Sequence, residues 1–141
     1  MRMADPRPIG YWLKLVDRLI DDRFVASLEE HGVTRRQWQL LNVLSRGSAT
    51  IGQLDAAVAP FLDADREESS ASHIAELVES GWVTEATGVY SISDRGRDAH
   101  TRLAAVVTDF RDVMAKTISD QEYAATLNVL ERMARNLGWN G

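Results

Sequence analysis

Apolar residues recur at helical spacing at both ends of the chain, while the middle breaks into shorter pieces. Over residues 9–30 the stripe runs Ile9, Leu13, Val16, Ile20, Phe24 and Leu28, widened by Trp12, Leu15 and Leu19. Gly32 supplies a left-handed stop. About 22 residues at roughly 1.5 Å each predict a helix of roughly 33 Å, more than a small head can cover. Thr34 with Gln37 makes a capping box and starts a second helix through Trp38, Leu41, Val43 and Leu44 to Gly47. Thr50 with Gln53 repeats the device for a short helix through Leu54 and Val58, which Pro60 ends or bends. Asp65 with Glu68 is a third box and predicts a helix over about 66–80, with Ile74, Leu77 and Val78 inward and Gly81 as its stop. Residues 82–85 and 89–93 alternate like strands, joined by a three-residue loop, Ala86-Thr87-Gly88, whose glycine suits a positive φ. Ser93 caps a third long helix over 94–116, with Ala99, Leu103, Val106, Phe110, Val113 and Met114 on one face. Ser119 with Glu122 is a fourth capping box, before a last helix carrying Tyr123, Leu127, Leu130, Met133 and Leu137.

Helix, turn, longer helix and tight hairpin, in that order over 50–93, is the winged helix-turn-helix arrangement, which offers one helix to the DNA major groove and a hairpin to the flanking backbone. The expected fold is therefore mainly α with a small β-hairpin wing, in a single domain over 1–141. Residues 34–93 form the head, and 9–31 and 94–137 form long terminal helices. The head covers only part of their apolar stripes, and an uncovered stripe of that size marks an interface, most often two-fold. The alternative is a monomer whose terminal helices pack on each other.

Composition narrows the function. Apolar residues make up 45% of the 141, enough for a core. With no cysteine, a disulfide framework, a Cys-ligated zinc and a thiol redox switch are excluded. The stretch MRMADPRPIG lacks the apolar core of a signal peptide and no run is long enough to span a bilayer, so a cytoplasmic protein with no membrane contact is expected. No Gly-rich phosphate loop and no G-x-S-x-G elbow is present, and the paired acids fall on solvent-facing helix positions, so no catalytic site and no cofactor are expected. His31, His73 and His100 have no metal-ligand spacing, and no metal site is expected.

Charge complicates the DNA reading. Residues 61–81 hold Asp63, Asp65, Glu67, Glu68, Glu76 and Glu79 against Arg66 alone, so the whole net charge of −5 sits in the window of the expected reading helix and its lead-in. Nucleic-acid binders usually carry a basic footprint.

The runs TRRQWQLLNVLSRGSATIGQL, ELVESGWV and YSISDRGRDAH resemble the MarR family of bacterial transcription regulators, over residues 9 to about 137. The most specific features are the leading long helix, the Gly81-Trp82-Val83 lead into the wing and the Ser-Asp-x-Gly-Arg run at 93–97. PIGYWLKLVDRLID and APFLDAD look like a subgroup common in actinobacteria. The resemblance implies a homodimer formed by the first and last helices. Each subunit would bind half of a near-palindromic operator on double-stranded DNA, as a repressor released by a small aromatic or lipophilic effector. Two features depart from the family pattern. The wing is short and has Glu85 where an Asp-x-Arg motif is usual, and the reading helix offers serines and a histidine among acids instead of cations.

Candidate DNA contacts are Thr50, Gln53, Arg66, Ser69, Ser70, Ser72, His73, Thr87, Arg95 and Arg97, with Arg46 as a further cation. Hydroxyls and backbone amides at helix starts reach bases or phosphates, and arginines neutralise phosphates. The alternative for the serines and acids is an ordinary solvated helix face. An effector pocket between head and dimer helices, as the family implies, would draw on Tyr11, Trp12, Leu15, Arg36 and Trp38. Core packing is the competing account of these aromatics. Arg35 and Arg36 would form an anion-binding rim or stay solvated. The sequence thus favours a homodimeric regulator with weak or context-dependent operator affinity. Its rival is a MarR-like dimer that has lost DNA binding and serves as a ligand-binding or protein-interaction module.

Overall fold

The computed structural model of the chain describes residues 6–62 and 69–141. Among the described residues, six helices and three strands follow in the order α1 (Ile9–Glu29), α2 (Arg35–Leu44), β1 (Ala49–Thr50), α3 (Ile51–Ala57), a 3₁₀ turn (Ala59–Phe61), α4 (Ala71–Glu79), β2 (Val83–Ala86), β3 (Val89–Ile92), α5 (Asp94–Met114) and α6 (Asp120–Asn136). The chain divides into two compact units, Met1–Val107 and Thr108–Gly141, with the boundary inside α5.

Local chemistry sets most helix starts. Thr34 Oγ1 accepts the Gln37 N–H while Gln37 Oε1 accepts the Thr34 N–H, both at 3.1 Å. Thr50 with Gln53 and Ser119 with Glu122 close the same reciprocal pair, so two orphan amides are satisfied at each of the three starts. Gly32 and Gly81 take φ of +72° and +81°, the left-handed stops expected after α1 and α4. The Asp65–Glu68 box lies outside the described residues.

The head is built around Leu40, Leu41 and Leu44 of α2, which pack with Leu28, Leu54, Ile74, Leu77, Val83, Ala99 and Leu103. Ala49 of β1 joins the same core and Tyr90 and Ile92 of β3 pack against it, so every described helix and strand of the first unit except the 3₁₀ turn reaches a single core. Of α1, only Leu28 is fully buried. Tyr11, Trp12, Leu13, Val16, Leu19 and Val25 are exposed on the single chain. In the second unit α6 buries no residue, and Leu127, Met133 and Leu137 are exposed.

Three expectations are corrected. The sheet has three strands, ordered β1-β3-β2, because Ala49 and Thr50 pair with Tyr90 and Val89 beside the hairpin. The hairpin loop holds two residues, since Ala86 pairs with Val89. Thr87 and Gly88 take φ of +50° and +81°, the double positive φ of a type I′ turn, whose twist matches the flanking strands. The helix expected to read DNA, α4, starts at Ala71, and Ser69 and Ser70 precede it. Ser70 makes no side-chain cap; its N–H is taken by Asp55 Oδ1 of α3 at 2.6 Å, so a tertiary contact sets this helix start.

The Ser-Asp-x-Gly-Arg run locks α5 beneath the wing. Ser93 Oγ accepts the Gly96 N–H at 3.0 Å and donates to Gly81 O at 2.7 Å, so one hydroxyl caps α5 and ties it to the end of α4. The Ser93 N–H reaches Trp82 O at 3.0 Å. A methyl on Gly96 would overlap that carbonyl and come within 2.8 Å of Ile92 Cγ1, which is why this position carries no side chain.

Candidate nucleic-acid interface

α3 and α4 make the helix-turn-helix, and Gly81 turns the chain from α4 into the wing, with the Trp82 N–H on Leu77 O at 3.1 Å. The face that would meet DNA comprises the start of α3, the first turn of α4, the tip of β2–β3 and the start of α5.

The expected contacts fall unevenly on this face. Thr50 and Gln53 are exposed at the start of α3, but the capping box uses the Thr50 hydroxyl and Gln53 Oε1 on each other's backbone. Ser72 is exposed and His73 half-buried on the first turn of α4. Ser69 is half-buried, and its Oγ accepts the Ala71 N–H at 3.2 Å. Ser70 corrects the reading: it is 0% exposed, packed beneath the start of α4, and presents nothing to a groove. Arg66 lies outside the described residues. Thr87 stands exposed at the wing tip, where its Oγ1 donates to Ala86 O at 2.8 Å. Glu85 Oε1 accepts the Gly88 N–H at 2.8 Å, so the acid beside the wing tip braces the turn.

Arg95 and Arg97 are exposed on the first turn of α5. The charge of Arg97, together with that of Arg46, reaches His100. Burial, then the charges of Arg46 and Arg97, lower the His100 pKa from 6.5 and favour the neutral ring. His100 stacks on Trp38 with centroids 5.1 Å apart and planes at 11°, and its Nε2 lies 3.0 Å from Asn42 Oδ1. This α2–α5 contact was not read from the sequence, since no spacing links residues 58 positions apart.

The pocket residues do not gather. Trp38 is 8% exposed and serves the core and His100, as the packing alternative held. Tyr11 and Trp12 meet edge to face at 5.3 Å near the start of α1, under the Arg7 guanidinium at 5.2 and 4.6 Å. Leu15 is half-buried in the next turn. A cleft of about 590 Å³ does open in the first unit, lined by Asp17, Arg18, Asp21, Arg35, Arg36, Pro60 and Phe61. Arg36, expected in the pocket, lines it, as does Arg35, expected at its rim. Arg35 is neither a free anion rim nor solvated. It bonds Asp21 at 2.9 Å, reaches Asp17 at 3.9 Å and lies against the Phe24 and Phe61 rings at 5.6 and 5.2 Å. The cleft is thus a salt-bridged seam joining α1, α2 and the 3₁₀ turn. No helix among the described residues is long and apolar enough to cross a membrane.

No protein-family model and no curated protein matches the chain. Solved structures do. A MarR family transcriptional regulator from Silicibacter pomeroyi superposes with a TM-score of 0.80 at 14% identity, over 94% of this chain and 91% of that one. The reduced form of MarR from E. coli gives 0.72 at 19%, over 92% and 95%. A MarR family protein from Mycobacterium tuberculosis, solved in complex with DNA, gives 0.69 at 20%, over 94% and 99%. Across nearly its whole length, the chain has the fold of the MarR family of transcriptional regulators.

Proposed function

We propose that the chain is a MarR-like DNA-binding transcriptional regulator, acting in the cytoplasm as a homodimeric repressor of a near-palindromic operator. One observation carries the reading: a helix-turn-helix with a type I′ wing and a cationic α5 start, on the fold of a relative solved with DNA. Pairing is supported by the exposed apolar faces of α1 and of the second unit, which suit a two-fold interface. A small lipophilic effector would then act by shifting the spacing of the two heads.

Few cations line the face among the described residues, so affinity rests on helix-start amides, Ser72 and His73 as much as on Arg95 and Arg97. A gel shift at low salt with the promoter region of the chain's own gene tests this: a retarded complex at micromolar dimer is expected, and its absence counts against the reading. The logarithm of affinity should fall shallowly with the logarithm of salt, because few phosphates are neutralised. The second reading, a dimer that meets a basic partner, is favoured by Glu76, Glu79 and Glu85, all exposed on α4 and the wing. Binding to a polycationic peptide with no affinity for any duplex would select it.

A further inference from the structure

Glu76 lies on the reading helix, where a carboxylate repels DNA phosphates, yet the carboxylate is held from within the protein. Gln37 Nε2 donates to Glu76 Oε2, linking α2 to α4 across 39 positions. The same amide offers Oε1 to the Thr34 N–H at 3.1 Å, and the Gln37 backbone N–H reaches Thr34 Oγ1 at 3.1 Å. Gln37 is only 9% exposed, so it cannot turn away without breaking the α2 capping box. At the other end of α4, the Ser70 N–H is held by Asp55 Oδ1 at 2.6 Å. Two polar ties, to α3 and to α2, thus bracket the reading helix.

We propose that Glu76 is a positioning residue for DNA reading, setting the rotation of α4 about its axis through Gln37. This rests on the DNA-binding reading above. Ile74 and Leu77 anchor the buried face, but apolar packing tolerates small rotations, whereas a charge-assisted bond to an immobilised amide selects one. The acid is then the means by which Ser72 and His73 hold their aim.

Glu76→Ala and Glu76→Gln in the full chain separate charge from tie. Both remove the same negative charge, but only glutamine keeps an oxygen for the Gln37 amide. Hydrogen exchange of the α4 amides without DNA, and affinity for an operator selected from random duplex, are the two readouts. Alanine should speed α4 exchange about tenfold and weaken DNA binding by a similar factor. Glutamine should keep native protection and bind as well or up to about threefold more tightly, since a screened like charge is gone. Gln37→Met, which releases Glu76 with its charge intact, should loosen α4 and weaken binding too, and carries the test if the alanine variant does not fold. Native protection in Glu76→Ala, or DNA binding by alanine equal to glutamine, overturns the proposal. Should no variant and not the native chain bind DNA, the function reading fails, while hydrogen exchange still decides whether Glu76 orients α4.

Discussion

Replacing Gly96 with alanine forces the close approach of α5 to the Trp82 carbonyl to open. The added methyl would overlap Trp82 O and crowd Ile92 Cγ1 at 2.8 Å. Relief requires α5 to back away from the β2 corner, which also stretches the 3.0 Å bond from the Ser93 N–H to that carbonyl. Overpacking of this kind costs about 1–3 kcal/mol and a lost hydrogen bond about 1 kcal/mol. The better helix propensity of alanine returns about 1 kcal/mol, leaving a net loss of about 1–3 kcal/mol. Against a total of roughly 5–15 kcal/mol this is large, and it corresponds to a melting point lower by about 4–12 °C. Urea unfolding followed by tryptophan fluorescence and circular dichroism reads the loss as a lower midpoint at unchanged slope. Gly52→Ala is the control, because at that helical position the nearest neighbour to a new methyl is Thr50 Oγ1 at 3.9 Å. It should leave stability unchanged or raise it by up to about 1 kcal/mol. A Gly96→Ala protein as stable as the native one, or two variants equally destabilised, would refute the packing argument.

Two further outcomes follow from the same geometry. Thr87 is a β-branched residue at a φ of +50°, so Thr87→Asn should stabilise the wing by about 1 kcal/mol, read as a higher urea midpoint. For His100, the folded pKa lies below the unfolded 6.5 because burial, Arg46 and Arg97 disfavour the cation. The unfolded chain therefore takes up its proton first on acidification. Stability is full above pH 6.5 and falls as the pH drops from there toward the folded value. In His100→Gln that part of the slope should vanish; an unchanged profile would show that other groups produce it.

The long helices were legible because their signals are local: a 3.6-residue apolar stripe and an oxygen three positions before an amide. Gly32, Gly81 and the capping pairs at 34, 50 and 119 could each be read from a few neighbouring letters. What was missed depends on distant partners. β1 is two residues long, too short for alternation to show, and exists because β3 offers an edge. The true start of α4 is set by Asp55, fifteen positions earlier, and Ser70, read as a DNA contact, is sealed beneath it. Arg35 was left between anion rim and solvent, because nothing in its neighbourhood announces Asp21 and two phenyl rings. Thr87 hid the type I′ turn, since positive φ is unusual for its type. The Ser-Asp-x-Gly-Arg run was recognised by resemblance, and its physical reason, a cap followed by a methyl-free contact, required the fold.

The proposed function stands or falls with paired heads that read DNA in spite of an acid-rich helix. Selection from a random duplex library, followed by sequencing, tests it most directly. Enrichment of a two-fold symmetric site whose half-sites lie about one helical turn, roughly 10 base pairs, apart is the expected result. A pool that stays random after repeated rounds at low salt, or enrichment of a lone half-site, would contradict it.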